Sequence, residues 1–332
     1  KPFGGNFALG AYVLAPIDGF ARVGTRYVDE REQFQSNSLG FPLLRDRISG
    51  EAMAIGMAYG LRPWIAVGLA VMILPKVTTE TSIYQTSTEL DNYNLVIENG
   101  TSEALVVGLH LKPTHWLAVG LVFQDELDMR IGGANFVNVE GGTLPDQALD
   151  VTQNAMPLRI AGSASIVVAT HHRIALEASW LNWGRYRSDH SENLGLSDVI
   201  HYKAGLESAL LDGNFLRFGF AFHPTPTDLQ SERANVIDND RFVMSVGAGK
   251  DFTVSGRKFR LDFALQGHSL AGRTVQKTFV EGENLTQCGA GVLELCDEDP
   301  EQDGLQTGNP GFPGYTHGGY VISTSVEAKW FF

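Results

Sequence analysis

The chain has 332 residues, 43% of them hydrophobic and only 19% charged, so it can bury a sizeable core and is not a disordered chain. No apolar run reaches the roughly eighteen residues that a membrane-spanning helix needs. The net charge of -13 argues against nucleic acid and against anionic headgroups as partners.

In chain order, FALGAYVLAP (7–16) is strand-like, Asp18-Gly19 turns it, and FARVGTRYV (20–28) follows. After a polar loop, EAMAIGMAYGL (51–61) alternates cleanly, Met53, Ile55, Met57 and Tyr59 against Ala52, Ala54, Gly56 and Ala58. Arg62-Pro63 turns it into WIAVGLAVMIL (64–74). A polar stretch, 78–101, precedes EALVVGLHL (103–111), a turn at Lys112 to His115, and WLAVGLVFQDELDMRI (116–131). A Gly- and Asn-rich loop leads to PLRIAGSASIVV (157–168) and, past a turn at Ala169 to His171, RIALEASWLNWGRY (173–186). HYKAGLESALL (201–211) and FLRFGFAFH (215–223) flank an Asp212-Gly213-Asn214 turn. RFVMSVGAGKDF (241–252) and FRLDFALQGHSL (259–270) flank Ser255-Gly256. The longest loop, about 277–317, precedes a closing strand, GYVISTSVEAKWFF (319–332).

Period-two alternation over so many long segments predicts strands with one apolar face. Tight turns alternate with long polar loops, the pattern of a transmembrane antiparallel β-barrel with short periplasmic turns and long extracellular loops. Alternation halves local hydropathy, which is how such a barrel escapes the test for spanning helices. The expected fold is therefore all-β, one barrel domain over 1–332, in the bacterial outer membrane with lipid around it. About thirteen strands are visible, and bacterial barrels usually have even numbers. With tight turns periplasmic, the first and last strands run the same way and cannot be antiparallel neighbours. About fourteen strands are therefore expected, the missing one upstream of Lys1.

Apolar stripes are expected to face lipid. Glu126, Asp128, Arg130, Arg173, Glu177, Lys203, Glu207, Arg217, Arg260, Asp262, Glu327 and Lys329 are expected to face the lumen. An apolar pocket with a few polar groups suits a hydrophobic small-molecule ligand. Inward candidates are Met72, Leu74, Val106, Val122, Val243 and Val321, with Arg130, Lys203 or Arg217 able to hold a carboxylate head. Tyr320, Ile322, Val326, Trp330 and Phe332 form the closing strand's apolar face, suited to lipid and to a C-terminal signal for the barrel-assembly machinery.

Cys288 and Cys296 stand close in a polar loop and suggest a disulfide in an oxidising compartment. The acidic run Asp297-Glu298-Asp299, with Glu301 and Asp303, reads first as a solvated loop and second as a calcium site. His171-His172 reads as a solvated turn. No nucleophile elbow, metal-spaced His cluster or phosphate loop appears, so no enzyme, metal or cofactor is expected.

Two stretches, 157–186 and 202–252, resemble the FadL-type outer-membrane transporters of long-chain fatty acids and aromatic hydrocarbons (OMPP1/FadL/TodX). The shared pattern is Pro157, Arg159 and Gly162, the Trp180 and Trp183 spacing, and Gly205 with Glu207. It continues with Leu216-Arg217-Phe218-Gly219, a Pro-rich loop, and Asp240-Arg241 before Ser245 and Gly247. The resemblance implies a fourteen-stranded barrel plugged by an N-terminal hatch, passing hydrophobic substrates sideways through a gap at a kinked strand. The hatch, with its Asn-Pro-Ala motif, is expected upstream of Lys1 with the missing strand. The function expected is passive transport of long-chain fatty acids or hydrocarbons. The alternative is a structural barrel that anchors an assembly of envelope protein partners.

Overall fold

The computed structural model describes residues 2–3, 6–14, 52–74, 77–84, 92–139, 142–143, 147–187, 195–210, 213–228, 238–254, 256–276 and 314–330. Thirteen strands form one antiparallel sheet. Its first half, in sheet order, is β1 (Pro2–Phe3), β2 (Phe7–Leu14), β3 (Ala52–Arg62), β4 (Ile65–Leu74), β7 (Ser102–Leu111) and β8 (Leu117–Gln124). Its second half is β12 (Arg159–Ala169), β13 (His172–Leu181), β14 (Val199–Ala209), β15 (Asn214–His223), β16 (Arg241–Val254), β17 (Arg257–Gln276) and β18 (Gly314–Trp330). A second sheet holds β5 (Val77–Tyr84), β6 (Asn92–Asn99), β9 (Leu127–Val139), β10 (Gly142–Thr143) and β11 (Gln147–Met156).

Alternation decides which face is which. Met53, Ile55, Met57 and Tyr59 are exposed on the outer face of β3, while Ala54 behind them is buried. Met244 is 70% exposed and Phe218 51%, apolar area that belongs against lipid. Aromatic rings gather at the tight-turn end, where Trp64 and Trp116 are exposed and Phe259 packs between Phe252 (5.0 Å) and Trp330 (6.4 Å). At the other end Phe222 stacks on Phe242 at 4.7 Å. These are the two interfacial girdles of a membrane barrel. Gly213 (φ 72) and Gly256 (φ 77) adopt the left-handed conformation that two of the tight turns require.

The fold departs from the sequence reading at several places. β2 pairs directly with β3, from Phe7↔Tyr59 to Leu14↔Ala52, so no strand stands between them. The stretch 20–28 itself lies outside the described residues. β2 therefore runs away from the tight-turn end, and the first strand running toward that end is β1, paired with β2 at Pro2↔Ala8. β1 and β18, the sheet's two edges, still run the same way, and among the described residues no pairing joins them. The stretch 78–101, read as a polar loop, holds the β5–β6 hairpin. The segment 116–131 is two strands, β8 and β9, divided at Asp125-Glu126. β13 ends at Leu181, and Trp183–Arg185 form a 3-10 turn instead of continuing the strand.

The second sheet prolongs the first. β4 leads into β5, β6 into β7, β8 into β9 and β11 into β12, and the order β5-β6-β9-β11 repeats β4-β7-β8-β12. A line of interruptions thus crosses neighbouring strands, between β6 and β7, between β8 and β9 and between β11 and β12. Gly100 and Pro157 stand on that line. Proline has no N–H for the ladder, and glycine weakens a strand, so both suit a break.

Candidate functional site

The inner face of the sheet divides into two arcs. From β2 to β8 it carries Ala8, Gly10, Tyr12; Ala54, Gly56, Ala58; Ala66, Gly68, Ala70, Met72; Ala104, Val106, Gly108; and Ala118, Gly120, Val122. Register places these in continuous rows, such as Gly10–Gly56–Ala70–Val106. Close approach is required at Gly56, where a Cβ would stand 2.7 Å from that of Ala70. Among the described residues this face of the arc has no Asp, Glu, Lys or Arg; besides Tyr12 its polar side chains are Ser102, His110 and Gln124.

From β12 to β18 the same face is ionic. Arg159 Nη2 meets Glu177 Oε1 at 2.8 Å, and Lys203 Nζ meets the same oxygen at 3.1 Å. Ser179, almost fully buried, donates to Glu177 at 2.9 Å. Nearer the tight turns, Arg217 Nε donates to Glu207 at 2.7 Å and its Nη1 donates to buried Asp262. Lys329 lies 3.7 Å from Asp262 and 2.9 Å from Glu327. Arg260 Nη2 donates to Asp251 at 2.8 Å, and Arg173 stands 3.9 Å from Glu207. Arg260 also lies 4.2 Å above the Phe215 ring. This lower group has four cations (Arg173, Arg217, Arg260, Lys329) and four anions (Glu207, Asp251, Asp262, Glu327), so it is neutral as a unit.

A cavity of about 390 Å³ lies at the seam of the two arcs. His110, Gly120, Ser163, Ala175 and Gly205 line it, with Glu177 and Lys203 on its charged side. It is mostly apolar with a few convergent polar groups, the composition of a small-molecule site.

The line of interruptions opens the wall beside β7. The β7–β8 ladder ends at Val106↔Gln124, and the β6–β9 ladder resumes at Asn99↔Ile131. Between them two backbone bonds remain, Asp125 N to Leu105 O (2.9 Å) and Gly100 N to Arg130 O (2.7 Å). Leu127 fills the gap at 0% exposure against Met72 and Ala104, with Leu74 and Met156 around it. Gln124, buried at the gap's edge, has no hydrogen-bond partner for its Nε2 among the described residues.

Over the charged arc the connections fold into a cap. Trp183, Leu196 and Val199 form its apolar centre, with Leu181 and Tyr186 against them. Arg273 Nη1 donates to Thr227 O (2.9 Å) and Asp238 O (3.1 Å). Asn239 Nδ2 donates to Ala271 O at 2.7 Å. Burial pushes the Asp238 carboxyl above its ordinary range, against the pull of Thr225, Asn239 and nearby arginines.

The expected contacts distribute across this geometry. Met72 and Leu74 stand at the gap, Val106 and Val122 on the uncharged arc, and Val243 is buried between Ala221 and His268. Val321 is half exposed on β18 opposite His268. Lys203 and Arg217 are held by carboxylates. Arg130 stands on β9 in the second sheet, opposite Thr152, so it and its neighbours Glu126 and Asp128 are not on the thirteen-stranded wall. Cys288, Cys296, the acidic run 297–303 and Phe332 lie outside the described residues; Tyr320, Ile322, Val326 and Trp330 are exposed on β18. Leu127 shares the odd parity of Leu117, Val119, Leu121 and Phe123, which over an unbroken 116–131 strand would turn it to lipid; it is instead wholly buried, because the strand that carries that parity ends at Gln124. Nothing in the sequence signals the stacked pair His201 and His223, 4.4 Å apart.

The family model described as outer membrane protein transport protein (OMPP1/FadL/TodX) matches residues 37–287. A Pseudomonas aeruginosa FadL homologue shares the fold with TM-score 0.57 at 13% identity, covering 84% of this chain and 66% of that one. The Pseudomonas putida toluene transporter TodX aligns with TM-score 0.49 at 11% identity, covering 85% of this chain and 69% of that one. No curated protein matches the sequence.

Proposed function

Because the chain belongs to the OMPP1/FadL/TodX family of outer membrane transport proteins, we propose that it is a passive channel for long-chain fatty acids or hydrocarbons. It is an outer-membrane β-barrel. The observation that carries the reading is the uncharged arc. Its rows of alanine, glycine and valine give apolar cargo a wall that demands no ion desolvation. The cargo rests in the cavity at the seam. It leaves sideways where the β7–β8 ladder is interrupted, past Leu127, Met72 and Ala104. No energy coupling is involved, so flux follows the gradient. Cells lacking the protein should lose uptake of a labelled long-chain fatty acid or alkylbenzene, and the wild-type chain should restore it. Uptake unchanged by deletion would overturn the proposal.

A further inference from the structure

The charge of -13 is a sum over the whole chain and conceals a reversal at one end. The residues from Glu281 to Asp303, in a long connection, carry eight acids and no Lys or Arg. The tight-turn end is the opposite. Arg62 stands at the β3–β4 turn, Lys112 at the β7–β8 turn, Lys250 near the end of β16, and Arg257 and Lys258 at the start of β17. All five are exposed, and none forms an ion pair among the described residues. The nearby Asp251 is already taken by Arg260. Exposed indoles alternate with these cations. Trp64 follows Arg62, Trp116 follows the Lys112 turn, and Arg257 lies 5.6 Å from the Trp330 ring.

Tryptophan at this depth marks the hydrocarbon–headgroup boundary. Five unpaired cations just beyond it therefore lie at the level of lipid phosphates. We propose that this rim is a binding surface for the phosphates of anionic phospholipid in the inner leaflet of the outer membrane. The inference rests on the membrane location and on the tight turns being periplasmic, not on the transported cargo. The overall charge predicts the reverse preference, because it sums acids over the whole sequence, whereas a phosphate at this rim feels chiefly the charges within about a Debye length, about 10 Å at 0.1 M salt.

The test uses the full chain folded into phosphatidylcholine vesicles containing dibrominated phosphatidylglycerol or, at equal mole fraction, dibrominated phosphatidylcholine. Bromine quenches nearby tryptophan, and Trp64, Trp116 and Trp330 sit beside the rim. Quenching by the anionic lipid should exceed that by the zwitterionic one at least about twofold, since each basic residue near the surface favours anionic lipid. The excess should vanish in the Arg62→Gln, Lys112→Gln, Lys250→Gln, Lys258→Gln variant. It should also vanish for the wild type at about 1 M salt, where the Debye length falls to about 3 Å; this arm needs no variant to fold. Equal quenching by the two lipids in the wild type overturns the proposal. So does a preference that survives both salt and substitution, or an acidic protein held at the rim in the absence of lipid preference.

Discussion

One arc of the lumen wall, β2 to β8, offers a passing molecule mostly small and apolar side chains, with Ser102, His110 and Gln124 as its polar exceptions, while the other, β12 to β18, is laced with ion pairs. Both arcs have the same backbone, the same pleat and the same lipid-facing stripe. They differ only in what fills the inward positions, and the difference separates two tasks. Paired charges on neighbouring strands lock register and stiffen the wall, most strongly at buried Asp262, which left alone would be a costly buried charge. Uncharged small residues leave space and withhold polarity, at the cost of less cross-strand fastening. The interrupted ladder lies at the junction of the two, between β7 and the β8–β9 break. What lies above them differs too: a packed cap over the charged arc, a second sheet over the other.

The largest effect should come from unpairing the charged arc. Asp262→Ala leaves Arg217 and Lys329 without their shared carboxylate and should cost about 3 kcal/mol of unfolding free energy in vesicles. Replacing Arg217 and Asp262 together by Met and Leu should recover most of that loss; equal losses in the single and double variants would mean the pair does not fasten the wall. Next is Leu127→Ala, which empties the ladder gap. It should cost about 2–3 kcal/mol, moderated by the flexible Met72 and Met156, and should speed cargo release. Slower release would place the exit elsewhere. A smaller effect should follow Val106→Glu, which puts a charge on the uncharged arc. Uptake should fall about tenfold, equivalent to about 1.4 kcal/mol, while Gln266→Glu on the other arc should leave it within about twofold. Equal effects of the two substitutions would erase the distinction between the arcs.

Sequence alternation made the strands and their two faces legible, because lipid on one side and the lumen on the other impose opposite demands at successive residues. It also brought Glu177, Lys203, Glu207 and Arg217 to the inner face. It could not pair them, since Glu177↔Lys203 depends on register across a long connection and Glu207↔Arg217 on the register that the turn between β14 and β15 sets. The break after Gln124 was illegible for a different reason. Leu127 keeps the odd parity of Leu117, Val119, Leu121 and Phe123, so the pattern runs on through a strand end, with only Asp125-Glu126 to mark it. The β5–β6 hairpin is rich in Thr, Ser, Asn and Glu and so reads as loop. The gap itself needed neighbouring strands to break on one line, a relation among Gly100, Asp125 and Pro157 that no local window contains.

The smallest effect concerns the cap, and it distinguishes the ends of the two arcs by pH. The buried Asp238 carboxyl has a raised pKa, so the folded cap binds its proton more tightly than the unfolded chain does. Stability then falls as pH rises wherever the folded state holds the extra proton. The contribution is complete below the ordinary carboxylate value, 3.8, and is lost as pH climbs through the higher folded value. Asp238→Asn keeps the shape, removes the titration and should flatten the dependence, because the backbone carbonyl that receives Arg273 is untouched. The readout is exchange protection at the Ala271 amide, which bonds Asp240 O at 2.9 Å, and at the Ser197 amide, which bonds Pro226 O at 2.8 Å, corrected for intrinsic rates. Both should loosen with rising pH in the wild type and hold steady in the variant, while the Gly100 amide at the ladder gap, which bonds Arg130 O, stays unchanged in both. A pH dependence shared by Gly100 would show that the effect is not confined to the cap.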